Sequence, residues 1–140
     1  MVQRYQRRIS GPLLDRIDLF VDVPRVDYEK LAATERAETS ETVAARVARA
    51  RDVQRDRFGP GDETTLNSDM NPTQVRANAQ DALDDNAREV LRVAVERLNL
   101  SARAFHRTLK LARTIADLAG AEVIESAHLA EAVQYRERIG

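Results

Sequence analysis

The sequence predicts a mainly α protein, a helical bundle preceded by one orphan β-strand, and three observations carry that expectation. From Ser40 onward, apolar residues recur at helical spacing in four long stretches. Short breaks rich in Gly, Pro, Asn or Ser separate them, which is the punctuation that ends one helix and caps the next. One run alone alternates with the period of a strand, setting Ile17, Leu19, Val21 and Val23 against Asp18, Phe20 and Asp22. No second run has comparable β-branched alternation, so the sheet to which this strand would belong is expected to have been cut away.

Composition narrows the function classes. The chain's 140 residues suit one domain, and its 43% hydrophobic content is enough for one core. With 22 basic and 23 acidic side chains, no whole-chain field exists to concentrate nucleic acid or bind an anionic membrane, so any such binding must be local. Cysteine is absent, which excludes a disulfide framework and a thiolate site. The apolar runs are too short to span a bilayer, and no signal-like start is present, so no membrane partner and a cytoplasmic address are expected. Met1 directly before the basic run Arg4 to Arg8 suits an artificial or truncated start.

In chain order, Gly11-Pro12 breaks whatever precedes it, and Leu13 and Leu14 then need an apolar surface. Pro24 stops the strand. Val26 to Ala33 allows at most a short helical turn before a polar stretch ending at Thr39. Ser40 is expected as the N-cap of a helix of four to five turns that directs Val43, Val47, Ala50 and Val53 inward and runs toward Phe58. Its other faces carry Arg46, Arg49, Arg51, Arg55 and Arg57, making it the most basic element. A long loop with turn-forming residues, Phe58 to Pro72, follows and is expected to touch a part of a parent molecule.

Thr73 is expected to cap a short helix through Val75 to Ala79, and Asp81 or Asp84 to open a stronger one striped by Leu83, Ala87, Val90, Leu91, Ala94 and Leu98. Asn99 suits a left-handed C-terminal position, and Ser101 an immediate N-cap. The next helix, Ala102 to Ala119, directs Phe105, Leu109, Ala112, Ile115, Ala116 and Ala119 inward and stops at Gly120. A last helix around Ser126 to Arg138 buries Leu129, Ala132, Val133 and Tyr135.

Several of these segments carry more than periodicity. Gln6-Arg7-Arg8-Ile9-Ser10-Gly11-Pro12-Leu13-Leu14-Asp15-Arg16-Ile17-Asp18-Leu19, Leu98 to Arg107 with Ser101-Ala102-Arg103 at its centre, Ala112 to Gly120 and His128 to Arg136 together resemble the C-terminal end of magnesium-chelatase-like AAA+ ATPases of the ComM/YifB type. Two departures stand out: the Phe58 to Pro72 loop has no strong match, and Glu125 and Ser126 stand where a capping Ser and a Pro are usual.

The resemblance implies that residues 1–25 are the C-terminal remnant of an AAA+ core and residues 26–140 a helical lid. Such ATPases form rings, expected as hexamers, with nucleotide at each interface. Arg16 maps onto an arginine finger acting in trans on the neighbour's nucleotide, and Arg103 onto the sensor-2 arginine acting on its own subunit's nucleotide, with Arg107 as a further candidate. A planar, permanently charged fork suits charge developing on a phosphoryl group in a desolvated interface, and such a finger is worth on the order of 10³–10⁵ in rate. ATP and Mg2+ are implied for the full-length protein, with neither held tightly by this chain. DNA processing during transformation, with DNA as a partner, is implied in the same way.

Without the resemblance these residues read more plainly. Arg16 between Asp15 and Asp18 would be a surface ion pair, and Arg103 a solvated first-turn arginine. Arg107, Lys110 and Arg113 follow Arg103 at helical spacing and read as a basic solvated face rather than further phosphate ligands. His106 and His128 lack companions at ligand spacing, so no metal site is expected. No Gly-x-x-x-x-Gly-Lys-[Ser/Thr] loop occurs, and the isolated chain is expected to be inactive as an ATPase. The competing reading is a non-enzymatic helical adaptor that binds protein or nucleic acid through the basic helix.

Overall fold

A computed structural model describes residues 16–27 and 38–136. Gly11-Pro12, Leu13-Leu14 and most of the short turn expected between Val26 and Ala33 lie outside them. Within them the fold is helical: α1 (Ser40–Phe58), a 3-10 turn (Asn67–Asp69), α2 (Pro72–Val75) running into a wide π turn (Arg76–Gln80), α3 (Asp85–Leu98), α4 (Ala102–Ala119) and α5 (Ser126–Gln134).

Local capping chemistry fixes the boundaries. Thr39, not Ser40, caps α1, because Thr39 keeps an extended backbone and its hydroxyl accepts from the Thr42 N–H at 3.3 Å. Asn71, not Thr73, caps α2: its side chain accepts from the Gln74 N–H while Gln74 accepts from the Asn71 N–H, both at 3.0 Å, and Pro72 occupies the first helical position, where no N–H is needed. Asp84 caps α3 by accepting from the Ala87 N–H at 2.6 Å. Asn99 takes the left-handed conformation (φ 46°), Ser101 caps α4 by accepting from the Ala104 N–H at 3.2 Å, and Gly120 closes α4 at φ 72°. The Asn99–Ser101 corner ends α3 and starts α4 within three residues.

α4 is the centre. It packs against α1, α5, the 3-10 turn and the α2 region, while α3 packs on α5. Leu109, Ala112, Ala116, Ile124, Leu129 and Ala132 are fully buried, joined by Met70, Val75, Ala79, Leu83, Ala87 and Leu91 in one core. The loops entering α3 and α5 are stitched by a single parallel bridge, Leu83 to Ile124. There the Ile124 N–H donates to the Ala82 carbonyl (2.9 Å) and the Asp84 N–H to the Ile124 carbonyl (3.1 Å). The bridge aligns the two helix starts and gives the buried Ile124 backbone its partners.

One expectation is corrected by the fold. The inward stripe on α1 is narrow: Ala50 and Gln54 are buried, whereas Val43, Val47 and Val53 are 37%, 38% and 44% exposed. The small Ala50 lets α1 approach α4, and the valines fall beside that seam. The Phe58 to Pro72 loop sends Asn67 and Met70 into the bundle.

Residues 17–27 adopt no regular secondary structure and join no ladder, and no named strand occurs among the described residues. The alternation is real in sequence, yet no described strand pairs with it. Also among the described residues, no helix is long and apolar enough to cross a membrane.

Candidate functional site

The first turn of α4 presents the candidate phosphate-facing group. Ser101 satisfies the Ala104 N–H, and the earlier N–H groups of the turn have no intrahelical partner, so the helix start favours an anion. Arg103 is exposed there. With Met70, Pro72, Val75, His106, Arg107 and Lys110 it borders a shallow surface pocket, so Arg103, Arg107 and Lys110 stand together along one side of the helix.

These cations differ in how they are held. Arg107 is ion-paired to Asp18 at 2.9 Å. Lys110 donates to the Ser68 carbonyl at 2.7 Å. Burial pushes its ammonium below the ordinary lysine value, the charges of Asp18 and Asp69 oppose that, and Arg107 adds to it.

Arg113 departs from the expected solvated face. It is buried, donates through Nε to Asp117 at 3.0 Å, and donates through its two Nη atoms to the Glu122 (2.7 Å) and Ala121 (2.5 Å) carbonyls. Burial pushes its pKa down, while Asp117 opposes the shift. Its donors clamp the turn from α4 to α5 and do not face the Arg103 pocket.

Around Asp117 lies a buried polar hub that sequence reasoning missed. The carboxylate accepts from Arg113, from Arg57 on α1 (2.5 and 2.9 Å) and from the Asn67 amide (2.8 Å). Asn67 also accepts from Arg57 at 2.8 Å, and its N–H donates to the Gln54 side chain at 2.9 Å. A signal was present: Arg113 and Asp117 lie four residues apart on the same stripe as Leu109, the spacing of an inward ion pair.

Arg16 is exposed and lies outside the lining of the Arg103 pocket. His128 caps its own helix, its Nδ1 accepting from the Glu125 N–H at 3.1 Å, and His106 borders the Arg103 pocket. Among the described residues no group of three His, Cys, Asp or Glu side chains is placed to hold a metal ion.

Comparison with known proteins supplies the family. The model of the magnesium chelatase, subunit ChlI C-terminal family matches residues 37–136, and that of magnesium chelatase, subunit ChlI, matches residues 1–31. The chain belongs to the magnesium chelatase ChlI C-terminal family. It is 40% identical over 139 residues to competence protein ComM of Haemophilus influenzae, covering 99% of this chain and 26% of that protein. It is 38% identical over 134 residues to the uncharacterized protein YifB of Escherichia coli and 37% over 134 residues to YifB of Salmonella typhimurium, covering 95% of this chain and 25% of each. The chain thus spans about a quarter of the length of the curated relatives it matches.

Proposed function

We propose that this chain is the C-terminal lid region of a ring-forming AAA+ ATPase, with residues 1–25 from the ATPase core and residues 26–140 forming the lid. Arg103 acts as sensor 2 on its own subunit's nucleotide, Arg107 assists it, and Arg16 is the finger supplied to the neighbour. ATP is the substrate, the ring is a hexamer, and DNA is the polymer acted on. A cytoplasmic address belongs to the same reading.

The observation that carries it is the standing of Arg103: exposed, in the first turn of a Ser-capped helix, and flanked by Arg107 and Lys110 on a shallow pocket. Triphosphate oxygens suit that setting, since helix-start N–H groups and a planar guanidinium both favour delocalised negative charge. Arg103 would hold the phosphates in the ground state, and Arg16 would meet charge that develops later.

The adaptor reading is weakened by the basic helix itself. Of its five arginines, Arg46 pairs with Glu38, Arg55 with Asp52 and Arg57 with the buried Asp117, which removes much of the cationic face.

In the full-length protein, Arg103→Ala is expected to weaken ATP binding in a fluorescence titration and to lower turnover. Arg16→Ala is expected to lower turnover with affinity nearly intact. Wild-type ATP affinity in Arg103→Ala would overturn the sensor assignment.

A further inference from the structure

We propose that Asp18 is a positioning residue for Arg16, fastening the Arg16 segment to the helix that carries Arg103. The inference rests on the finger reading of Arg16. Residues 17–27 have no sheet ladder to hold them, and burial holds them little: Phe20 is half-buried and Leu19 borders a pocket against α4, but Leu19, Val21 and Val23 are 46%, 66% and 83% exposed. Three polar contacts do. The Asp18 carboxylate meets the Arg107 guanidinium at 2.9 Å, the Ile17 carbonyl accepts from Arg136 at 2.5 Å, and the Phe20 N–H donates to the Tyr135 carbonyl at 2.9 Å.

Arg136 and Tyr135 lie at the end of α5, whereas Arg107 lies on α4, one turn beyond Arg103. Asp18 is therefore the side chain that ties the segment to the nucleotide-facing helix. Arg16 stands in a turn two residues before it, at most about 7 Å away along the chain, so the anchor limits where its guanidinium can reach. A shift of α4 on nucleotide binding would be passed to Arg16 through this bridge, linking one subunit's site to the next. Asp18 is 65% exposed at its side chain, so the pair is weak and reversible, of a strength that changes an equilibrium by about two- to fivefold.

The test uses the full-length protein with Asp18→Asn, Asp18→Glu, Arg16→Ala and the Arg16→Ala, Asp18→Asn double variant, reading kcat, ATP affinity and melting temperature. Asp18→Asn, which also releases Arg107 from its ion pair, is expected to lower kcat about two- to fivefold with ATP affinity not weakened and melting temperature unchanged. Asp18→Glu should keep most of the wild-type rate, and Asp18→Asn should add nothing to the loss in Arg16→Ala, because it acts through that side chain. Wild-type kcat in Asp18→Asn beside a large loss in Arg16→Ala would overturn the positioning role and leave the finger standing. So would weakened ATP affinity in Asp18→Asn, or a further loss in the double variant. Wild-type kcat in Arg16→Ala would remove the finger reading itself, and the role of Asp18 with it.

Discussion

Asp117 is the residue whose loss the bundle tolerates least. Its side chain is fully buried, Arg113 beside it is 3% exposed and Arg57 15% exposed at the side chain, and four donor atoms converge on its two oxygens. Removing the anion strands two guanidinium groups, and breaking a buried pair from one side costs about 3–5 kcal/mol. Asp117→Ala is therefore expected to lower the unfolding free energy by about that amount in urea denaturation, with Arg57→Ala costing less because water reaches that side chain. Asn99 makes a smaller, local case. In the left-handed region at φ 46°, Asn99→Ala is expected to cost about 1–2 kcal/mol and Asn99→Gly much less, read from the same experiment. The contrast explains what was legible at this scale. Asn99, Ser101 and Asp84 act through neighbours a few residues away, so their roles show in the sequence. Asp117 depends on Arg57 and Asn67, which only the folded chain brings to it.

At the scale of elements, α3 and α4 were legible because each carries a wide apolar stripe bounded by caps. α1 was only half legible, since its valines follow a helical period without being covered. The energetic consequence separates the two: Leu109→Ala on α4, fully buried, is expected to cost about 2–5 kcal/mol. Val47→Ala on α1, 38% exposed, should cost under about 1 kcal/mol by the same measurement. The inward path of the loop after α1 was not legible, because turn-forming residues say that a chain bends, not where it then goes. Its ordered half is held by side-chain clips. Asp62 accepts from the Thr64 N–H at 2.8 Å and from Gln74 at 3.0 Å.

These bonds also set an acid dependence. The Asp62 carboxyl is held below its ordinary value by the Thr64 N–H and hydroxyl and then by Gln74, with burial opposing. Glu89 is held down by its hydrogen bond from Arg92. For a carboxyl depressed in the folded state, the unfolded chain takes up the proton first. Its contribution is complete above the unfolded value and is lost as pH falls through the folded one. Melting temperature is expected to fall on acidification below about pH 4, and Asp62→Asn should soften that fall. An acid slope unchanged in Asp62→Asn would exclude this group as a contributor.

At the scale of the whole molecule, the family was legible because the segments around Arg16, Arg103 and Arg113 combine in a specific order, which no helical period alone supplies. The segment of residues 17–27 was legible as a pattern but not as a structure, since a strand exists only through partners. In the proposed ring, Arg103 serves its own subunit while Arg16 serves the next, and this division of labour can be measured. It is tested most directly by mixing full-length subunits carrying Arg16→Ala with subunits whose phosphate loop is disabled, and measuring ATP turnover once mixed rings are shown to form. Recovery above either protein alone is the expected result, because some interfaces then pair an intact cradle with an intact finger. The same mixture made with Arg103→Ala should not recover, since each partner then has a damaged site of its own. Failure of the Arg16 mixture in proven mixed rings, or recovery with Arg103→Ala, would contradict the account.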